Sequence, residues 1–134
     1  MEKKEAIFKA TLDLIAESGF HNSPMSVLAK KANVAAGTIY HYFASKDDLI
    51  VELYSYVKQK VSEEVGVDED VSRPYKERFK KLFLGNYHFF LKNHKEFLFL
   101  EQYNNSNFLV KTKEEIAKVE QIYIEFLRDR KSVV

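Results

Sequence analysis

Apolar residues recur at helical intervals along most of the chain. Phe8, Leu12, Ile15 and Ala16 fall at i, i+4, i+7 and i+8, with Ile7, Thr11 and Leu14 widening the stripe, and this predicts an amphipathic helix over roughly residues 3–18. Gly19 supplies its stop, and Phe20 is placed to pack back on the last turn. Ser23-Pro24 reads as an N-cap followed by proline at the first helical position. A short helix of about residues 24–31 should follow, buried through Met25, Leu28, Ala29 and Ala32. Asn33 falls where a tight turn requires positive φ, a conformation that asparagine tolerates better than other non-glycine residues. A third helix resumes near Ala36, with Ile39 and Phe43 facing inward.

Ser45, with Asp48 three residues later, approximates a capping box that opens a long helix. Ile50, Leu53, Tyr54, Val57 and Val61 keep its helical spacing, and the acidic stretch from Glu63 to Asp70 predicts a loop. Pro74 then introduces Tyr75, Phe79, Leu82, Phe83, Asn86 and Phe90, a stripe that predicts a helix to about residue 92. A shorter helix around residues 95–103, a polar turn at 104–107 and a helix over about 110–128, buried through Ile116, Val119, Tyr123, Phe126 and Leu127, complete the chain. There is no internal repeat and no low-complexity tract.

Composition agrees with this pattern. Four Gly and two Pro in 134 residues leave few of the turn residues that a many-stranded sheet needs, which favours an all-α fold. The absence of cysteine removes disulfides, thiolate metal sites and a cysteine nucleophile. No run of 18 apolar residues occurs, so the reading is a soluble, cytoplasmic protein without a membrane partner. Net charge is only +1. Residues 1–46 hold six lysines against four acidic residues, a small positive excess, so any nucleic-acid reading has to rest on a motif.

That motif lies at residues 24–43, where two short helices joined by a tight turn, with a longer helix behind them, make a helix-turn-helix arrangement. Its second helix would enter the major groove and present Ala36, Gly37, Thr38, His41 and Tyr42, while Ile39 and Phe43 anchor it. Three segments carry a more specific resemblance: Gly19-Phe20, the run Val27 to Val34, and the run from Gly37-Thr38-Ile39-Tyr40-His41-Tyr42-Phe43 to Leu49. Together they resemble the signature of the tetracycline-repressor (TetR) family over about residues 5–50.

The resemblance implies an all-helical homodimer. Residues 1–46 would form a three-helix DNA-binding head, joined by a long fourth helix to a ligand-binding and dimerisation body within residues 47–134. Family members usually continue for two further long helices, so the body is expected to be incomplete relative to the family. The implied activity is that of a transcriptional regulator, a repressor released from a palindromic double-stranded operator by a small-molecule effector. Thr38, Tyr40, His41 and Tyr42 would touch phosphates or base edges, and Lys46 would pair with a phosphate. Sequence discrimination would fall to Ser26, Ala36, Gly37 and Thr38. The chain departs from the family pattern at Asn33, where glycine is usual, and at Ala35, where Ser or Thr is usual. The first keeps the turn conformation; the second removes a helix N-cap.

The aromatic stretch after residue 79 suggests an apolar or aromatic effector lined by Phe83, Tyr87, Phe90, Phe97, Tyr103 and Phe108, with polar groups from Asn86, His88, Gln102 or Asn105. The competing reading of each aromatic is plain core, and that of Lys30-Lys31 is a solvated helix face. His88 and His94 fall on different helix faces and have no completing ligands, so no metal or other cofactor is implied. No phosphate loop, activated nucleophile or paired carboxylate suggests an enzyme. The alternative function is a helical interaction protein that keeps the head but binds another protein. Specific binding to a palindromic duplex separates the two.

Overall fold

The computed structural model describes residues 2–66 and 70–106, with positions 121 and 125 beyond them. The expected helix over 110–128 and the candidate ligand residue Phe108 lie outside the described residues. Within them the fold is all-helical: α1 (Lys3–Ser18), a 3-10 turn (Phe20–Asn22), α2 (Met25–Ala32), α3 (Ala36–Tyr42), α4 (Lys46–Val65), α5 (Tyr75–Lys92) and α6 (His94–Asn104). None of the described helices is long and apolar enough to cross a membrane.

The chain falls into two compact units. The first takes in everything up to Tyr54 together with the segment that begins at His94; the second is built on Ser55–Asn93. The first unit thus takes in the first part of α4 and the whole of α6.

In the first unit α1 packs on both α2 and α6. Ile7, Ile15, Leu28, Ile39, Leu53 and Phe99 are fully buried, each contributing roughly 1.5–3 kcal/mol of apolar burial. Aromatic pairs join the helices: Phe8 with Phe43 at 5.6 Å between ring centroids, Phe20 with Phe99 at 5.6 Å, and Tyr54 stacked on Tyr103 at 4.1 Å. Offset or tilted pairs of this kind add to plain area burial.

Helix ends follow local chemistry, with two corrections to the sequence reading. Ser23 does not cap α2, whose N-cap is Pro24. The buried Ser23 hydroxyl instead donates to the Gly19 carbonyl at 2.7 Å, because the 3-10 turn brings that carbonyl within its reach. The acidic stretch does not break α4 at residue 63. Glu63 and Glu64 remain helical, Gln59 donates to Glu63 one turn on at 3.1 Å, and the helix ends at Gly66, whose φ is 65°. Exposed glutamates are good helix formers, so a run of acid is a weak stop signal beside a glycine. Ser45 does cap α4: its hydroxyl accepts the Asp48 N–H at 3.2 Å.

In the second unit α5 has the expected length, but its buried face differs from the expected stripe. Arg78 and Phe89 are buried, with Leu82 and Gly85 between them on the same side, whereas Phe79 and Phe83 are 47% and 61% exposed. Apolar side chains surround much of α5, so periodicity alone cannot choose the inward face. Close packing chooses it: a Cβ on Gly85 would lie 2.9 Å from Cγ1 of Val65 on α4. Gly85→Ala is therefore expected to lower stability by about 1–2 kcal/mol despite its better helix propensity, because the β-branched Val65 cannot move aside cheaply. Urea denaturation checks this, and an unchanged midpoint would mean that the two helices separate at little cost.

The opposite change is expected at Ala35. It is the N-cap of α3, with extended backbone at φ −68° and ψ 149° and no side-chain cap bond. Ala35→Ser should raise stability by roughly 0.5–1 kcal/mol, read as a higher midpoint in the same denaturation.

Candidate nucleic-acid interface

The geometry of α2 and α3 is set by the turn between them. Asn33 adopts the left-handed conformation, φ 57° and ψ 46°. Its N–H donates to Lys30 O at 3.1 Å, and the Val34 N–H reaches back to Ala29 O at 3.0 Å. This pair of bonds is a Schellman closure, which satisfies the last carbonyls of α2 and reverses the chain, so that α3 begins three residues later. Asparagine accordingly does at this position what glycine does more freely.

Seven residues are too few for a helix to be stable alone, so α3 depends on its anchors. Ile39 is fully buried, and Phe43, at its C-cap, is 1% exposed against Phe8. The Lys4 ammonium sits 5.6 Å from the centroid of the Phe43 ring. With these side chains turned inward, Ala36, Gly37, Tyr40 and His41 form one exposed face, flanked by the half-buried Thr38 and Tyr42. Tyr40 is 55% exposed. Space around Gly37 is open, since an added Cβ would meet nothing within 4 Å. Ser26, in the first turn of α2, is exposed as well. The residues named from sequence as DNA-contacting all belong to the first unit.

Lys46 is more constrained than its place in the sequence suggests. Its ammonium donates to the Phe20 carbonyl at 2.5 Å, which ties the first residue of α4 to the 3-10 turn. Burial lowers its pKa below the ordinary lysine value, and the neighbouring Asp47 carboxylate opposes that shift.

A family model described as bacterial regulatory proteins, tetR family, matches residues 7–53, which run from α1 into α4. The structure is also similar to a TetR-family protein of Vibrio parahaemolyticus, with a TM-score of 0.80 and 32% identity over 98% of this chain and 72% of that one. The chain belongs to the TetR family.

Two further proteins are similar to it. An uncharacterised helix-turn-helix transcriptional regulator of Haemophilus influenzae is 36% identical over 101 residues, 75% of this chain and 54% of its own length. The transcriptional regulator FadR of Bacillus subtilis, solved in complex with stearoyl-CoA, has a TM-score of 0.72 and 27% identity over 92% of this chain and 66% of that one. The chain spans about half the length of the curated relatives it matches.

The residues expected to line an effector site of this TetR-family chain fall in different surroundings. Phe83 and Tyr87 on α5 are exposed and Phe90 is half-buried, whereas Phe97 and Tyr103 are on α6, in the first unit. Tyr103 is fully buried, stacked on Tyr54 and packed on Phe99. Three polar candidates bond to backbone. Asn86 on α5 and Asn105, just past α6, each donate to the carbonyl four residues back, at 2.9 Å. Gln102 accepts the Phe20 N–H at 3.2 Å and donates to Ile15 O at 3.4 Å. The roles of Phe20 and Gln102 around Lys46 escaped the sequence reading, since one acts through its backbone and the other bridges 82 residues.

The lowered pKa of Lys46 gives a direct check on its environment. In an NMR pH titration of lysine 13Cε signals, Lys46 should lose its proton at a lower pH than an ordinary lysine. Its ammonium is the less favoured form in the fold, so this site disfavours the folded state below that titration, and the penalty fades as pH rises from there through the ordinary lysine value. An ordinary midpoint would contradict the partly buried contact with Phe20.

Proposed function

We propose that this chain binds double-stranded operator DNA as a homodimer, with α3 in the major groove, and represses transcription until an apolar ligand releases it. One observation carries the DNA reading. Ile39 and Phe43 hold α3 from one side, and the side left open carries the hydroxyl of Tyr40 and the imidazole of His41, with the hydroxyls of Thr38 and Tyr42 at its edges. Hydroxyl and imidazole groups donate to phosphate oxygens without regard to sequence and so set register, with Lys46 supplying a cation beside them. Discrimination between base pairs falls to Ser26, Ala36, Gly37 and Thr38, where short side chains let base edges approach.

The effector reading is supported by a relative. The Bacillus subtilis regulator was solved with stearoyl-CoA, and a Bacillus subtilis sequence that is 36% identical over 86 residues is named a fatty acid metabolism regulator protein. We assign the effector of this chain to the long-chain acyl thioesters, with Phe83, Tyr87 and Phe90 on α5 supplying apolar contacts. The near-neutral overall charge fits a protein whose DNA affinity comes from a few placed groups rather than a broad basic surface.

Fluorescence anisotropy with the duplex upstream of its own gene tests both parts. Binding is expected with Kd on the order of 10 nM or tighter, falling steeply between 50 and 200 mM salt. The Tyr42→Ala, Lys46→Ala double variant should lose it by roughly 100-fold or more, in line with about 1–3 kcal/mol for each good contact. Sizing chromatography should give a dimer, and stearoyl-CoA should release the duplex. Weak binding that is blind to sequence and unaffected by the double variant would defeat the DNA reading. Release by coenzyme A as effective as release by its acyl ester would defeat the effector assignment alone.

A further inference from the structure

The 3-10 turn after α1 is held from two directions. Gly19, at φ 81° and ψ 171°, carries the chain out of α1 and delivers Phe20 into the turn. Oε1 of Gln102 on α6 accepts the Phe20 N–H at 3.2 Å, and the Gln102 side-chain nitrogen donates to Ile15 O at 3.4 Å. Gln102 thus spans the end of α1 and the start of the turn. One helical turn earlier on α6, Phe99 is fully buried and its ring meets that of Phe20 at 5.6 Å. From the other direction, the Phe20 carbonyl accepts the Lys46 ammonium at 2.5 Å. Phe20 therefore lies between α6 and the lysine that opens α4, bonded to one through its N–H and to the other through its C=O.

We propose that Gln102 is a positioning residue for Lys46, acting through the Phe20 backbone. This rests on the reading that Lys46 meets a DNA phosphate. An ammonium group has three N–H donors; one is used on Phe20 O, which leaves two for an incoming phosphate. A lysine side chain free to sample its rotamers loses entropy on being fixed, and the bond to Phe20 settles much of that before DNA arrives. The carbonyl can do this only while the turn is fixed, and Gln102 with Phe99 fixes it. Without the Gln102 amide the partly buried Phe20 N–H loses its acceptor, and the turn shifts to find another.

The test is a double-mutant cycle on DNA binding by the full chain, using Lys46→Met, Gln102→Met and the combined variant. Methionine keeps an unbranched apolar stem at both sites while removing the hydrogen-bonding group. Lys46→Met should weaken binding and flatten the slope of log affinity against log salt by about 0.9, the loss of one phosphate contact. Gln102→Met, which removes no charge, should reproduce most of both effects, and the combined variant should be no worse than Lys46→Met alone. Gln102→Asn, which keeps the amide but shortens its reach, should behave in the same way and serves if the methionine variant does not fold. Circular dichroism melts confirm that each variant is helical at the assay temperature.

A Gln102 variant that weakens binding without changing the salt slope, or that adds its full loss to that of Lys46→Met, would overturn the inference while leaving the Lys46 contact standing. If Lys46→Met itself left affinity and slope unchanged, the phosphate contact would fall and the positioning role with it.

Discussion

Burial of Ile39 and Phe43 is the constraint on which the arrangement of the head depends. A helix of seven residues has too few internal hydrogen bonds to persist alone, so its orientation is decided by what its side chains find. Phe43 finds Phe8 on α1, and Ile39 is removed from water altogether. Fixing two positions four residues apart fixes the rotation of the helix about its axis, and thereby which groups are left outside. The exposed Tyr40 and His41 follow from that rotation, as does the open surface at Gly37.

The polar contacts around the head act differently from the apolar ones. The Schellman closure at Asn33 satisfies backbone groups that α2 would otherwise leave bare, and so sets the turn into α3. The bonds to Phe20 from Gln102 and Lys46 join three separate parts of the first unit at one residue. Each such bond has a modest net effect on stability, because water would serve the same groups in the unfolded chain. Their value is geometric: they hold named atoms at fixed places, and recognition of a phosphate or a base edge depends on placement.

The helix boundaries were largely legible in the sequence. The range of α1, the left-handed Asn33, the start of α3 at Ala36 and the Ser45 cap follow from residues within a turn of one another. The readings that failed turned on competing local signals or on packing. Ser23 looked like a cap until the 3-10 turn offered it a carbonyl, and α5 had apolar residues on too many sides for its period to select a face. Among the candidate site residues, the exposed face of α3 could be read once Ile39 and Phe43 were set inward. The partly buried state of Lys46 could not, since its acceptor is 26 residues away.

The sequence by itself determined the helical order, the range of α1, the hand of the α2–α3 turn and the resemblance of the chain to the TetR family, because each of these is carried by residues close together along the chain. Tertiary structure alone decided which face of α5 is buried, that α6 packs on α1, and that Tyr103 belongs to the core of the first unit. It also decided that Phe20 joins Gln102 to Lys46. The physical reason is one of range: capping and helical periodicity act over a few residues, whereas burial and backbone hydrogen bonding across 82 residues exist only after the chain has brought their two sides together.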